Sequence, residues 1–336
     1  MRIAEINDVA SVASELGEGL RRRGHEVTLI RPKAPGAKLP QLLKPVTVPA
    51  RAIEWAKVIR QVRGGNFDVV HIHYATLGIV GELGRFPYVL HCHGTDVRDP
   101  DPVTRPIVQR VLRNAVHVFY ATPDLAEPVL RHRPDAEFLP NPIDTETFRP
   151  LTPARECRDV FIGCWLTAVK GAPKLLEACR MLAEQRPDIR ITAIDSGPFS
   201  AQFAALPNVT LLARQPRAKL PSIFARHGVV MGQMHLGIAG MLELEAMACG
   251  RPVVTPFAFN HVYPEPGPFV LASTPEQMAA DVIRLVDDAD LREMIGRASR
   301  AWVARHHQID AIAGRFEERL KEIAQRTPNQ RRKAGH

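Results

Sequence analysis

A glycine-rich loop and an acidic helix meet in the segment from residue 235 to residue 256, HLGIAGMLELEAMACGRPVVTP. Gly237 and Gly240 allow a ligand to approach the backbone closely. A helix that begins at Gly240 presents its first N–H groups and the positive end of its dipole to that ligand, which favours an anion such as a phosphate. Glu245, about a turn and a half further on, is suited to accept hydrogen bonds from sugar hydroxyls.

The same segment predicts the elements that hold these residues, a helix followed by a buried strand from Pro252 to Thr255. Successive helical residues turn by about 100°, so Met241 and Leu242 are expected on the face that carries Glu245. Glu243 is expected on a different face. A loop, an amphipathic helix and a core strand without any ligand would give the same pattern, so the segment alone leaves both interpretations open.

A second polar cluster follows a strand predicted from Pro87 to His91, in the sequence HCHGTD. A histidine before a glycine at the carboxyl end of a buried strand is placed where ligands bind in parallel sheets. His93 and Asp96 are therefore candidates for a site, although Asp96 also fits an ordinary helix N-cap. Some of the histidines in this region must be structural, because four of them crowd together: His71, His73, His91 and His93.

The composition is that of a soluble globular protein with room for two domains. The chain has 336 residues, of which 45% are apolar and 24% charged, enough for two cores of ordinary size. Its first twenty residues carry four acidic side chains, which a secretory signal peptide avoids. The apolar runs are shorter than a transmembrane helix requires. We therefore expect a cytoplasmic protein, with peripheral contact to the inner face of a membrane as an option.

Cysteine usage and charge narrow the function classes. The five cysteines never form a C-x-x-C pair, which fits a reducing compartment and argues against a zinc site. The net charge of +8 points to a polyanionic partner, such as nucleotide phosphates or an anionic membrane. Nucleic acid is not expected, because no nucleic-acid-binding motif accompanies the charge and aromatic residues make up only 6% of the chain.

Alternating strands and helices predict doubly wound parallel sheets. The chain opens with a strand (Arg2–Ile6), a helix (Ser14–Arg23) and a second strand (Glu26–Ile30). The loop after the first strand lies outside the carboxyl ends of the strands, where such sheets bind ligands. The proline-rich stretch from Phe138 to Pro150 interrupts the alternation, which then restarts. We predict a hinge and a domain boundary there.

Residues 31–63 form a basic stretch with apolar residues between the charges. One acid, Glu54, stands against eight basic residues: Arg31, Lys33, Lys38, Lys44, Arg51, Lys57, Arg60 and Arg63. The interleaved apolar residues are Leu39, Leu42, Leu43, Val46, Ile53 and Trp55. Such a stretch either lies on an anionic membrane surface or forms a solvated basic helix over the first core.

Several motifs occur in an order that resembles glycosyltransferase family 4. They are LHCHGTD at residues 90–96, LPNPIDTETFRP at 139–150, the Lys170–Gly171 pair, and EAMACGRPVV at 245–254 behind its loop of small residues. The resemblance extends over roughly residues 1–320. It implies the GT-B fold, an α/β architecture of two doubly wound Rossmann-like domains that face each other across a cleft.

The resemblance also assigns the domains. Residues 1–150 are expected to bind the acceptor and residues 151–308 the nucleotide sugar. A helix at about 309–325 is expected to pack back on the first domain, as it does in relatives. Residues 326–336 are polar and basic, and we expect a disordered tail there.

The activity implied by the resemblance is transfer of a hexose-like sugar from a nucleotide-sugar donor to an acceptor hydroxyl. Members of the family retain the anomeric configuration, and the leaving phosphate is thought to assist the incoming hydroxyl. No cofactor and no metal are expected, since a helix N-terminus and Lys170 take the diphosphate charge. The acceptor would be a lipid, a polysaccharide or a small-molecule aglycone, with peripheral membrane contact through residues 31–63.

Site residues carry over to the positions that match the family motifs. His93 and Asp96 are the expected catalytic residues. The expected donor-binding residues are Lys170, Gly197, Arg214, Gly237, Gly240, Met241, Leu242 and Glu245. The expected acceptor-binding residues lie in the first loop and are Asn7, Asp8, Ala10 and Ser11.

Several positions depart from the family pattern. Gly237 stands where the family has the first of two glutamates eight positions apart, and Cys164 stands where it has an arginine. Lys170 comes one residue later than usual, and alanine and serine replace the paired glycines of the first loop. Either the donor is unusual, another group fills the missing role, or transfer is lost. The alternative function is therefore a non-catalytic relative that binds a nucleotide or a partner protein.

Overall fold

The computed structural model describes residues 1–35 and 46–333, with side chains described as far as residue 323. The chain forms two compact units, one of Met1–Pro142 with Ile309–His336 (unit 1) and one of Ile143–Gln308 (unit 2). The change of unit comes at residue 142, earlier than the predicted boundary at 150. The reason is that Ile143 and Phe148 already belong to the core of unit 2, where the Ile143 N–H donates to the His307 carbonyl at 2.7 Å.

Unit 1 contains a parallel sheet of six strands in the order β2-β1-β3-β4-β5-β6. The strands are β1 (Arg2–Ile6), β2 (Glu26–Ile30), β3 (Val69–His73), β4 (Val89–Cys92), β5 (His117–Tyr120) and β6 (Glu137–Phe138). The helices before residue 143 are α1 (Val12–Arg22), α2 (Val48–Gly64), α3 (Ile79–Gly84), α4 (Thr95–Arg98), α5 (Arg105–Asn114) and α6 (Ala126–Leu130). The strand order reverses at β1, between β2 and β3, and ligands bind at such switch points in open parallel sheets.

Unit 2 repeats this plan with the strand order β12-β11-β10-β7-β8-β9. The strands are β7 (Val160–Ile162), β8 (Ile191–Ile194), β9 (Val209–Leu212), β10 (Val229–Met231), β11 (Val253–Thr255) and β12 (Val270–Leu271). The helices are α7 (Ala172–Gln185), α8 (Ser200–Ala204), α9 (Leu220–Phe224), α10 (Met241–Ala248), α11 (Pro275–Asp287) and α12 (Ala289–His306). The predicted architecture of two doubly wound parallel sheets is confirmed.

The last helix, α13 (Ile309–Lys333), packs in unit 1. Ile312, Phe316 and Leu320 are buried in one apolar cluster with Leu16 and Leu20 of α1. The helix runs to Lys333, into the segment 326–336 for which the sequence predicts a disordered tail. Residues 334–336 lie outside the described part of the chain.

Helix α2 covers part of the unit 1 core and carries half of the basic stretch. Val58 and Val62 are buried in that core, whereas Val48 and Ile53 are 53% and 59% exposed. The exposed apolar residues therefore share a helix with Arg51, Lys57, Arg60 and Arg63. Five of the predicted membrane contacts lie outside the described residues: Lys38, Leu39, Leu42, Leu43 and Lys44. Among the described residues, no helix is both long enough and apolar enough to cross a membrane.

The crossing of α1 and α13 depends on a glycine. A Cβ atom added at Gly19 would lie 2.7 Å from the Ala313 Cβ atom and 3.0 Å from the Ile309 carbonyl oxygen. Gly19→Ala should therefore lower the free energy of unfolding by about 1–3 kcal/mol through overpacking, as measured by urea denaturation. The control is Gly64→Ala in α2, where an added Cβ meets nothing within 4 Å. Equal effects of the two substitutions would contradict this packing.

Candidate functional site

The loop between β1 and α1 has the backbone conformation of a glycine loop without containing glycine. Asn7, Ala10 and Ser11 have φ angles of 73°, 50° and 67°. Left-handed backbone costs an L-residue other than glycine about 1 kcal/mol or more, and strain of this kind concentrates at functional sites. This loop therefore lacks the paired glycines of the family pattern, as the sequence shows, but its backbone has the positive φ angles that glycines commonly adopt.

Polar contacts hold this loop against the neighbouring strand. The Asn7 side chain donates from Nδ2 to the His73 carbonyl at 3.1 Å. The Asp8 carboxylate accepts from the Ser14 N–H at 3.2 Å, from the Ser14 hydroxyl, and from Arg31 Nη2 at 2.8 Å. Asn7 and Asp8 thus fix the shape of the loop, and Ala10 is exposed.

His93 ends a chain of hydrogen-bonded side chains that starts inside the sheet. The Nε2 atom of His73 donates to the Glu5 carboxylate at 2.7 Å, and its Nδ1 atom lies 2.9 Å from Nε2 of His93. Because a carboxylate only accepts, His73 carries its hydrogen on Nε2. In neutral His73 the Nδ1 atom therefore accepts, and His93 donates from Nε2. This leaves the lone pair of neutral His93 on Nδ1.

The Asp96 carboxylate is buried and bonded to the backbone around it. It accepts from the N–H groups of Ala75 at 2.8 Å, Gly94 at 2.7 Å and His93 at 3.1 Å. Burial raises the pKa of Asp96, and these backbone N–H groups oppose the rise. The contacts describe a positioning residue that shapes the loop carrying His93, and its oxygens are already engaged by the protein.

Burial also controls the protonation of the histidines. It lowers the pKa of His91 and of His93 well below the usual range, and the neighbouring histidines add to the effect. Burial lowers the pKa of His71 as well, although the nearby Glu5 carboxylate opposes this. For Glu5, burial raises the pKa, but the contacts with His71 and His73 outweigh burial and bring it down to about 2. The cluster thus holds a buried carboxylate beside rings, those of His71, His91 and His93, whose charged form burial disfavours.

The start of α10 is where the structure departs most from expectation. Glu243, expected on a remote helix face, bends back so that its carboxylate accepts from the N–H groups of Gly240 and Gln233 at 3.0 Å and 3.1 Å. Glutamate at the third helical position commonly reaches back to the N-cap in this way. It takes the Gly240 N–H away from a ligand. The first-turn N–H groups of Met241 and Leu242 have no partner within the helix.

Loops from three strands meet at this helix terminus. Lys170 Nζ donates to the Gln233 side chain at 3.2 Å, and the Met234 N–H donates to the Lys170 carbonyl at 3.0 Å. The turn that holds Gly197 joins them, because the Leu166 N–H of the β7–α7 loop donates to the Ser196 carbonyl at 2.8 Å. The structure therefore brings together the predicted donor residues Lys170, Gly197, Gly240, Met241 and Leu242.

Glu245 lies on the same helix but is engaged by an arginine. Its side chain is only 3% exposed, and its Oε1 atom lies 2.6 Å from Nε of Arg217. Arg217 in turn lies over the Phe148 ring, 4.6 Å from its centroid. Arg214, the expected partner of a nucleotide base, lies over the exposed Trp165 ring, 5.7 Å from its centroid.

Sequence reasoning missed Gln233, Arg217, Trp165 and Glu5. Each acts through a contact with a residue distant in the sequence, for example Arg217 with Glu245, 28 positions away. Within the chain, the only available signals were an uncommon acid in a buried strand and an exposed tryptophan beside the Lys170 loop.

Gly237 has a backbone that fits glycine. Its φ of 64° is left-handed, and an added Cβ would lie 3.2 Å from the Pro256 carbonyl oxygen. A glutamate at this position would be strained and crowded. Glycine at position 237 therefore fits a backbone conformation that would strain the glutamate of the family pattern. Cys164, in the place of the family arginine, is buried, and burial raises the pKa of its thiol to about 12, so it carries no charge.

Comparison with known proteins assigns this chain to a family. Residues 9–142 match the family model described as "Glycosyl transferase 4-like domain", and residues 160–302 match "Glycosyl transferases group 1". The chain belongs to glycosyltransferase family 4. Over 339 residues it is 29% identical to a phosphatidyl-myo-inositol mannosyltransferase of Mycolicibacterium smegmatis, an alignment that covers 90% of this chain and 86% of that protein.

Two further comparisons agree with this family assignment. A D-inositol 3-phosphate glycosyltransferase of Pseudarthrobacter chlorophenolicus is 27% identical over 258 residues, which cover 66% of this chain and 61% of the relative. The sucrose-phosphate synthase structure from Thermosynechococcus elongatus superposes with a TM-score of 0.74 at 17% identity, covering 96% of this chain and 99% of that one. The predicted GT-B fold class of this family 4 glycosyltransferase is confirmed.

The strained backbone of the first loop predicts that a substitution by glycine will not lower the free energy of unfolding. Ala10→Gly should leave the free energy of unfolding unchanged or raise it by up to about 1 kcal/mol, because glycine adopts positive φ without cost. Ala13→Gly, in the buried face of α1, should instead lower it by about 1 kcal/mol or more. Urea denaturation of both variants measures the difference. A comparable loss in Ala10→Gly would argue against a left-handed Ala10.

The buried histidines predict a loss of stability in mild acid. Folded His91 resists protonation because burial holds its pKa well below the usual range, whereas the unfolded chain takes up a proton near pH 6.5. The unfolded state then binds more protons, so the free energy of unfolding falls as the pH drops below about 6.5. We expect roughly 1 kcal/mol per pH unit from this histidine.

Urea denaturation between pH 7.5 and 5.5, with a chelator present throughout, measures this slope. His91→Gln removes one titrating group and should make the dependence on pH shallower. A wild-type free energy of unfolding that is constant over this range would show that the histidines are not buried in neutral form.

Proposed function

We propose that this family 4 enzyme transfers a hexose from a nucleotide-sugar donor to an acceptor hydroxyl with retention of the anomeric configuration. One observation carries the proposal. Lys170 and the first turn of α10 meet at the carboxyl ends of β7 and β10 through Gln233 and Met234, and Glu245 lies further along the same helix. That arrangement offers a cation and backbone N–H groups for phosphates, with a carboxylate near enough to bind a ribose.

The donor diphosphate would depend on Lys170 and on backbone groups. Glu243 occupies the Gly240 N–H and adds a negative charge at the helix terminus, which weakens the attraction of this terminus for an anion. Lys170 is therefore expected to supply the main positive charge, and Gln233 holds its ammonium group in place. In this proposal the transfer step needs no metal ion, since the charge that develops on the leaving diphosphate is met by Lys170 and N–H groups.

His93 would bind a hydroxyl of the transferred sugar. Its hydrogen is directed from Nε2 to His73, so Nδ1 offers a lone pair. A sugar hydroxyl can donate to that lone pair, and the neutral ring suits a site where no charge has to be neutralised. Asp96 would then act by fixing the backbone of the His93 loop.

The acceptor is proposed to be a polyol headgroup, such as an inositol phosphate or a glycolipid. The mannosyltransferase and inositol-phosphate glycosyltransferase relatives suggest this class. In unit 1 the first loop offers Asn7, Asp8 and Ser11, with Arg31 beside them. The exposed Val48 and Ile53 on basic helix α2 would support peripheral contact with an anionic membrane that carries a lipid acceptor.

A nucleotide-binding experiment tests the donor site. Titration with ADP, GDP and UDP, followed by calorimetry, should identify one that binds saturably. Lys170→Ala should weaken that binding by about 10-fold to 100-fold, which corresponds to the loss of one charge-assisted hydrogen bond. Glu243→Gln should strengthen it, because it removes a negative charge from the helix terminus.

The matched control is Lys174→Ala, in the first turn of α7, where the lysine is exposed and donates to the Ser273 carbonyl. This variant should bind as the wild type does. If Lys170→Ala and Lys174→Ala behave alike, Lys170 does not hold the phosphates. If no nucleoside diphosphate binds to the wild type, the proposed donor site is wrong.

A non-catalytic nucleotide-binding protein is the second candidate, because Arg217 already engages Glu245 and glycine replaces the family glutamate at 237. Turnover assays with the sugar conjugates of the nucleotide that binds separate the two. Transfer or hydrolysis of the donor supports the enzyme. Saturable binding with neither supports the second candidate.

A further inference from the structure

Three histidines inside unit 1 form a cluster that the transfer reaction does not require. His71, His73 and His91 each bring one ring nitrogen within 4.8 Å of the corresponding atoms of the other two. All three side chains are fully buried. Their rings lie close together, with centroids separated by 4.2 Å for His71 and His73 and by 5.2 Å for His73 and His91.

Glu5 sets which nitrogen of two of these rings is free. Its Oε2 atom accepts from His71 Nδ1 at 2.8 Å and from His73 Nε2 at 2.7 Å. Because the carboxylate only accepts, the hydrogens are on these two nitrogens. Neutral His71 then has its lone pair on Nε2 and neutral His73 on Nδ1. A carboxylate that holds the far nitrogen of a histidine is the common arrangement behind metal-binding histidines.

The cluster also contains ring nitrogens that lack a hydrogen-bond partner. Among the described residues, His71 Nε2 and both ring nitrogens of His91 are buried without a partner. A buried polar atom without a partner costs about 1–3 kcal/mol, and such atoms point to a water or an ion. Since the His91 ring lies beside that of His71, with centroids 5.4 Å apart, one species in the cluster can satisfy a nitrogen of each.

Charge balance favours a cation over a water molecule. The Glu5 carboxylate is completely buried, and its Oε1 atom has no partner among the described residues. A buried charge of this kind needs a compensating charge nearby. A divalent ion among the three rings would supply that charge at the nitrogens that Glu5 leaves with a lone pair.

We propose that His71, His73 and His91 bind one divalent transition-metal ion of the zinc type, with Glu5 as the carboxylate behind two of the ligands. Imidazole nitrogens suit zinc, copper and nickel, whereas magnesium and calcium prefer oxygen ligands. Zinc–nitrogen bonds of about 2.0–2.1 Å place tetrahedral ligand atoms about 3.4 Å apart. One nitrogen of each of the three rings already lies within 4.8 Å of the other two, which is the spacing to compare with this value.

The ion would link β3 to β4 beneath the loop of His93. Binding of the ion at His73 Nδ1 would take the lone pair that otherwise accepts from His93 Nε2, 2.9 Å away, so His93 would give up this hydrogen bond and water would fill the fourth position. This role is structural and does not rest on the proposed function, because all three ligands and Glu5 belong to the core of unit 1. Loss of the ion should leave the nucleotide affinity of the Lys170 site unchanged.

Cobalt binding to the wild-type protein tests the proposal directly. Protein without a histidine tag is dialysed against a chelator, freed of it, and titrated with Co²⁺. We expect visible ligand-field absorption that saturates at one equivalent and disappears when Zn²⁺ is added in excess. Elemental analysis of protein exchanged into Zn²⁺ and then desalted should give one zinc per chain, and the melting temperature should rise with Zn²⁺.

Substitutions locate the ion. His91→Gln and His71→Gln should each abolish the saturable cobalt spectrum and the rise in melting temperature. The control is His117→Gln, a buried histidine of the neighbouring strand β5 outside the cluster, which should bind one equivalent like the wild type. Circular dichroism establishes that each variant is folded.

Two results would overturn the proposal. The first is a wild-type protein that retains no zinc and shows no saturable cobalt spectrum, which needs no variant to interpret. The second is binding of several weak equivalents that His91→Gln leaves unchanged, as surface histidines would give. Nucleotide binding measured on the same preparation keeps either failure separate from failure of the donor site.

Discussion

The burial of a carboxylate in the middle of β1 constrains the rest of unit 1. Glu5 lies in the register of a parallel sheet, paired with His71 of β3, and it is fully buried. A charge in that position is tolerated only if neighbouring strands supply donors for it. His71 and His73 do so. The other ring nitrogen of His73 contacts His93 at the carboxyl end of β4, so the orientation of His93 also depends on Glu5. The position and tautomer of His93, the candidate catalytic histidine, therefore depend on Glu5, which lies two strands away in the sheet.

Unit 2 uses a carboxylate in a comparable way at the start of α10. Glu243 satisfies the N–H groups of Gly240 and Gln233, which stabilises the helix terminus. The same contacts reduce the capacity of this terminus to hold an anion. Stability and phosphate binding thus compete for the same backbone groups. Lys170, which contacts Gln233, supplies the positive charge that can make phosphate binding at this terminus favourable.

The parts predicted well from sequence are those governed by local periodicity. Strands β1 and β2 have the predicted bounds because apolar residues and glycine mark them clearly. Glu243 was predicted wrongly because helical periodicity fixes only the direction of the Cα–Cβ bond, and a long side chain at the third position can fold back on the terminus. Pairs such as Arg217 with Glu245 join distant positions, so no local pattern contains them.

The departures from the family pattern form one consistent set when their charges are considered together. The family arginine is replaced by the uncharged Cys164, and Glu243 adds a negative charge beside Lys170 and Gln233. A diphosphate at α10 would therefore meet less positive charge than the family pattern provides. Backbone N–H groups carry no net charge, so they bind phosphate without offsetting its two negative charges. On the proposed function, more of the donor affinity would then come from contacts with the base and ribose, which would give Arg214, Trp165 and Glu245 a larger share of it than the family pattern implies.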